Sequence, residues 1–178
     1  MISIILLSVF ITQTLASGAG LPCDYPCDAK NVKNLEFSSN GLNLLTAFEG
    51  WSSTCYKDSM GVWTIGYGHA CQSSSSNLPE YGVTCTSGHC SGSLTTSQGK
   101  KVLHKDVNSF EKCVQGAVKV HLTQNQFDAL VSFAYNNGCN GLQTSTLLKK
   151  LNKKTLTDKD AQYEMTRWHS GCLGGLER

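Results

Sequence analysis

Hydrophobic and polar positions alternate with two different periods along this chain. In SSNGLNLLTAFEG, Leu42, Leu45 and Phe48 recur at helical spacing, which predicts a helix with Ser39 or Asn40 at its start, Gly50 at its C-terminal cap and Glu49 in its last turn. Tyr56 to Asp58 and Val62 to Tyr67 read instead as two strands around the turn SMG, so 51–69 is predicted to be a hairpin or small sheet. Gly66 and Gly68 there point to close backbone approach rather than a long regular strand. The helical period returns with Val102, Leu103, Val107, Phe110 and Val114, and again with Phe127, Leu130, Val131 and Ala134. Each of these runs opens on a threonine followed three residues later by a glutamine, TTSQ at 95–98 and TQNQ at 123–126, which is the pattern of a capping box. Leu122 and Phe127 are placed for a hydrophobic staple. Shorter helices are predicted over Ser145 to Leu151 and Asp158 to Trp168, the latter with Ala161, Met165 and Trp168 on one face.

The segment from Cys71 to Ser93 fits neither period. With SSSS at 73–76, Pro79, several glycines and three cysteines it reads as a loop or insertion ordered by disulfides. No internal repeat is apparent. A length of 178 residues at 40% hydrophobic content suits one domain with a sizeable core. Residues 2–11, ISIILLSVFI, are an uncharged run too short to span a bilayer, and the small residues of LASGAG follow. Residues 1–19 are therefore expected to be a secretory signal, and 20–178 a single domain.

All nine cysteines lie beyond that signal, as expected for thiols that oxidise after export. Their odd number leaves one free, bonded to another chain or paired outside this sequence, and spacing does not give the connectivity. A rival use of the same segment is metal: His69, Cys71, Cys85, His89 and Cys90 are zinc-ligand types, but they form no repeated C-x-x-C pair and an oxidising compartment favours disulfides. No metal and no cofactor is called for. The formal net charge of +2 excludes the clustered basic footprint of a nucleic-acid binder. KKLNKK at 149–154 reads as the solvated end of a helix.

The chemistry concentrates in FEGWSSTCYKDSMGVWTIGYGH. A carboxyl at a helix C-terminus faces the negative end of the macrodipole, which suits Glu49 to hold a proton near neutrality. Asp58, on a turn beside Lys57 and backbone donors, has an environment that favours the carboxylate. Two carboxyl groups driven apart in this way form the acid and base that glycosidic hydrolysis needs, and the Thr64 hydroxyl could hold the water. Read alone, a helix-end glutamate, a turn aspartate and a strand threonine are also ordinary surface and β-forming residues.

Phe48-Glu49-Gly50, Tyr56-Lys57-Asp58 and Gly61-Val62-Trp63-Thr64-Ile65-Gly66-Tyr67-Gly68-His69 resemble, in order and spacing, the active-site region of the phage-type lysozymes and endolysins, glycoside hydrolase family 24, in its secreted, disulfide-bearing branch. In that family a glutamate is followed nine positions later by an aspartate and six beyond it by a threonine, and 49, 58 and 64 reproduce both intervals. The resemblance continues through Leu122-Thr123, 126–138, Ser145-Thr146-Leu147 and Arg167-Trp168, about residues 35–178 in all. It implies a mostly helical α+β fold, in which a small β-containing lobe and a helical lobe flank a cleft. It implies bacterial peptidoglycan as substrate, with Glu49 as general acid, Asp58 activating water, Thr64 assisting, and inversion at the anomeric carbon across a carboxyl separation of about 6.5–9.5 Å.

His69, Asn136 and Asn137 are the candidate substrate-binding residues: His69 is expected behind the catalytic pair or in a structural role, and Asn136 and Asn137 at sugar or peptide groups or, alternatively, in a helix C-terminal turn before Gly138. Trp63, Tyr67 and Trp168 are candidates for stacking on sugar rings or for the core, and the resemblance brings Arg178 toward Glu49. A secreted monomer acting on peptidoglycan, without nucleic acid or stable membrane insertion, is the expectation. Two rivals from other classes are a secreted carbohydrate-binding protein that keeps the cleft without cleaving, and a small disulfide-linked interaction protein.

Overall fold

The computed structural model describes residues 28–86 and 88–173, with no side-chain detail beyond Met165. The proposed signal, Cys23, Cys27 and Arg178 lie outside the described residues, as do the side chains of Arg167, Trp168 and Cys172. The packing resolves two compact units, one of residues 44–106 and one built from the segments on either side of it.

The unit of residues 44–106 carries the sheet. β2 (Ser52–Lys57), β3 (Trp63–Gly66) and β4 (His69–Ala70) form a three-stranded antiparallel sheet in that order. Tyr56 pairs with Thr64 and Lys57 with Trp63, while the register shifts between Ser52 and Tyr56. The predicted hairpin is therefore present. Its first strand starts earlier than the pattern suggested, because Ser52 to Thr54 carry no apolar alternation to mark them. A second hairpin, β5 (Thr84–Thr86) with β6 (His89–Ser91), sets Cys85 opposite Cys90. Disulfides join Cys55 to Cys90 and Cys71 to Cys85. Ile65, Leu78, Val83, Leu94 and Val102 bury themselves around these sulfurs, so the cysteine-rich segment has a small core of its own.

Among its described residues the flanking unit holds a two-residue pairing of β1 (Lys30–Asn31) with β7 (His121–Leu122), a contact too short and too distant in sequence for any periodicity to announce, and helices, the first two of which also include residues of the 44–106 segment. α1 (Ser39–Phe48) is capped by Ser38, one residue before Ser39 and two before Asn40: Ser38 Oγ accepts from Gly41 N–H at 3.0 Å. Ser38 is held in turn by Asp128, whose carboxylate accepts its N–H at 3.0 Å and its hydroxyl proton. α2 (Thr96–Ala117) starts behind Thr95, with Gln98 Oε1 accepting from Thr95 N–H at 2.7 Å and Thr95 Oγ1 from Gln98 N–H at 3.3 Å. α3 (Gln124–Thr144) shows the full capping box of Thr123 and Gln126. The sequence placed its end at Gly138. The backbone does break there, at φ 74° and ψ 159°, a conformation only glycine adopts without strain, but a further helical stretch resumes and runs to Thr144. Cys139, beside that break, is bridged to Cys113 of α2. α4 (Thr146–Asn152) is capped by Ser145 Oγ, and α5 (Asp158–Leu173) buries Ala161 and Met165.

These elements make the chain a mostly helical α+β protein. Among the described residues no helix is long and apolar enough to cross a membrane.

Candidate active site

Glu49 follows the last residue of α1, and its N–H still closes a helical hydrogen bond to Leu45 O at 2.9 Å. Leu45 is 2% exposed, so the helix end that carries Glu49 is anchored by a buried side chain. Burial pushes the Glu49 carboxyl above its ordinary value, because desolvation penalises the charged form. The direction agrees with the helix-end argument, but burial is the dominant cause.

Asp58 begins the turn between β2 and β3. Its backbone N–H donates to Val62 O at 2.9 Å, and Gly61, at φ 78°, donates to Asp58 O at 3.0 Å. The side chain is fixed by the same turn: Oδ1 accepts from Met60 N–H at 2.8 Å and Val62 N–H at 2.9 Å. Both bonds go to one carboxylate oxygen, and Oδ2 takes part in neither. The sequence SMGV supplies these donors because glycine permits the left-handed residue that turns both N–H groups inward.

Thr64 is 3% exposed on β3, and its hydroxyl donates to Val62 O at 3.1 Å. With its proton committed there, Oγ1 is left as an acceptor. Directly across the sheet from Thr64 stands Tyr56, 39% exposed. Burial first, then the charges of Asp58 and of Glu49, raise the Tyr56 phenol. Tyr56 therefore lies within the field of both carboxyl groups, a position that sequence reading missed by treating it only as part of a motif.

His69 pairs with Ile65 at the β3–β4 edge. Its Nδ1 is 2.8 Å from Asp106 Oδ2 and its Nε2 2.9 Å from Ser76 O. The imidazole thus ties the sheet to α2 and to the cysteine-rich segment. Asp106 was also missed, although the sequence holds a signal for it: Leu103, Asp106 and Phe110 follow helical spacing, placing a carboxylate beside the buried stripe of α2.

Asn136 and Asn137 belong to the helical unit. Their amides donate to Ser132 O and Phe133 O, each at 2.9 Å, so both side chains lie back along α3. Tyr67 is buried against Trp51, with ring centroids 4.7 Å apart. Trp63 is half-buried and donates through Nε1 to Gly88 O at 3.0 Å, while the Lys57 ammonium sits 5.4 Å from its ring centroid. Of the zinc-ligand types in this segment, Cys71, Cys85 and Cys90 converge, whereas His69 is engaged elsewhere and His89 packs its ring toward Trp63 at a centroid distance of 6.5 Å.

The endolysin of Bacillus phage PZA is 36% identical over 137 residues, covering 76% of this chain and 47% of that protein, so the chain spans about half the length of this relative. Among solved structures, an endolysin from Escherichia coli O157:H7 phage FAHEc1 superposes with a TM-score of 0.60 at 33% identity, covering 76% of this chain and 77% of that one. The muramidase domain of SpmX from Asticaccaulis excentricus gives a TM-score of 0.61 at 28% identity, covering 75% and 80%. Residues 46–178 match the sequence model of the phage lysozyme family, and the chain belongs to that family.

Proposed function

We propose that this chain is a secreted muramidase that hydrolyses the β-1,4 bond between N-acetylmuramic acid and N-acetylglucosamine of bacterial peptidoglycan. The observation that carries this reading is the contrast between the two carboxyl groups: Glu49 held toward its protonated form by burial, and Asp58 fixed through one oxygen by two backbone donors. Glu49 protonates the leaving glycosidic oxygen. Asp58 Oδ2 takes a proton from the attacking water. Thr64 Oγ1, its own proton already given to Val62 O, accepts the water's second hydrogen. A water so held presents a lone pair to the anomeric carbon, and direct attack from the far face gives inversion. Asn136 and Asn137 assist substrate binding through their amide oxygens, which their bonds along α3 leave unused. His69 acts behind the site by holding the end of the sheet that carries Thr64. Family membership, and the names endolysin and muramidase borne by its relatives, support peptidoglycan as the substrate. The uncharged N-terminal run and the disulfides support export.

The test uses purified chain on bacterial cell walls, following turbidity and new reducing ends, and then NMR of the first product from a defined glycan fragment. Loss of turbidity with new reducing ends of inverted configuration is the expected result. Binding to walls without new reducing ends would instead identify a lectin-like protein, and retained configuration, or a sugar trapped on Asp58, would make Asp58 a nucleophile.

A further inference from the structure

Four cysteines of the sheet-bearing unit converge from three separate segments: Cys55 from β2, Cys71 from the residue after β4, and Cys85 and Cys90 from opposite strands of the β5–β6 hairpin. They form two disulfides, yet the two bridges are in contact, with Cys71 Sγ of one 3.2 Å from Cys90 Sγ of the other. The Sγ atoms of Cys71, Cys85 and Cys90 all lie within 4.8 Å of one another, and the fourth sulfur, Cys55, is bonded to Cys90. Zinc–thiolate bonds of about 2.3 Å in a tetrahedron put neighbouring sulfurs about 3.8 Å apart. The fold therefore already gathers three of these sulfurs near the scale of one thiolate site and leaves the fourth, Cys55, one S–S bond away, beside an apolar shell that includes Ile65, Leu78, Val83 and Leu94.

We propose that Cys55, Cys71, Cys85 and Cys90 are a two-state site: a pair of disulfides when oxidised, and a four-thiolate site for a single thiophilic divalent cation such as Zn²⁺ when reduced. A dithiol or phosphine reductant breaks the two S–S bonds, supplying four electrons while four protons are taken up. Cation binding then releases up to four protons as the thiols become thiolates. The donor set is all sulfur because both nitrogens of His69 are taken by Asp106 and Ser76, and His89 is exposed and turned toward Trp63. The cation would replace the two covalent cross-links with one coordinate cross-link among the same three segments. In the segment of residues 71–93 the apolar shell is small, so some cross-link is needed to order it. This inference is independent of the catalytic reading, and either can fail without the other.

The test is metal titration of the full chain after reduction with a phosphine under argon. A second chain, in which Cys23, Cys27, Cys113, Cys139 and Cys172 are serine, isolates the four sulfurs. Co²⁺ should give the visible bands of a tetrahedral thiolate complex at one ion per chain, Zn²⁺ should displace it, and Zn²⁺ should raise the melting temperature of the reduced chain but not of the oxidised one. In the full chain, Cys71→Ser with Cys85→Ser should weaken binding at least tenfold, as judged by competition against a chromophoric chelator. Absence of stoichiometric binding by the reduced full chain would overturn the proposal. Binding that persists unchanged in the Cys71→Ser, Cys85→Ser chain would overturn it as well.

Discussion

His69 Nδ1 lies 2.8 Å from Asp106 Oδ2, while Ser76 O faces the other ring nitrogen at 2.9 Å, so the imidazole is clasped by an acceptor on each side. Only the imidazolium donates to both. Burial pulls the group down, the largest single influence, and the nearby Lys105 charge acts in the same direction. The hydrogen bond and charge of Asp106 together with the Ser76 carbonyl outweigh them, leaving His69 above its ordinary value.

A raised histidine binds its proton more tightly folded than unfolded. Its contribution to stability is therefore fully present below the unfolded value of about 6.5 and is lost as pH rises through the folded one. Asp106→Asn should cost about 1.5–3 kcal/mol at pH 5.5, the range for a hydrogen bond to a charged group, and distinctly less at pH 9. Urea unfolding of both proteins at the two pH values measures this. An equal cost at both would show that the pair contributes only shape.

Glu49 has the opposite linkage. A carboxyl raised by burial binds its proton more tightly in the folded state, so folding stability falls as pH rises from the unfolded value of 4.5 through the folded one and stays lower above it. Glu49→Gln removes the charge at constant size. The variant should be more stable than the parent at pH 7 and indistinguishable from it at pH 3.5, as read by thermal melts at both pH values. In turnover, the alkaline limb of the pH–rate profile should lie above that of an ordinary carboxyl group.

Thr64 separates hydroxyl chemistry from strand propensity. Thr64→Ser keeps an oxygen that donates to Val62 O and accepts from water, whereas Thr64→Val keeps the β-branched shape and loses both. Turnover should fall less for serine than for valine, with valine about 10²-fold down if water positioning carries the effect. Valine retaining full turnover would remove Thr64 from the mechanism.

Gly99, in α2, lies against the ring of Trp51. A methyl group on Gly99 would come within 2.1 Å of the Trp51 ring, which packs at a 45° tilt against Tyr67. Gly99→Ala should therefore destabilise by about 1–3 kcal/mol as Trp51 is displaced, despite the better helix propensity of alanine. Because Trp51 is two residues from Glu49, activity should fall with it. A stability gain on chemical denaturation would contradict the packing.

Much of this was legible in the chain. The capping boxes at Thr95 and Thr123 act locally, between residues three apart, the 3.6-residue period records which face each helix buries, and the turn residues between Asp58 and Val62 mark the β2–β3 hairpin, so these elements could be read directly. What escaped is what depends on distant partners. Ser38 caps α1 because Asp128, ninety residues on, holds it, and nothing near Ser38 says so. The continuation of α3 past Gly138 follows a backbone break that ends most helices. The pairing of Cys55 with Cys90 and of Cys71 with Cys85 joins segments 35 and 14 residues apart, which cysteine spacing alone does not contain. Of the candidate site residues, the intervals single out Glu49, Asp58 and Thr64, but the bonds that orient the Asp58 and Thr64 side chains run to backbone atoms, which no side-chain pattern reveals.

The most direct test of the account is cell-wall cleavage by Glu49→Gln, measured as release of new reducing ends, with circular dichroism and wall binding recorded on the same preparation. The side chain keeps its size and loses the transferable proton. The account predicts an intact fold, near-normal binding and turnover reduced about 10²- to 10⁴-fold, the usual cost of losing a general acid. Near-normal turnover by a folded Glu49→Gln protein would contradict it.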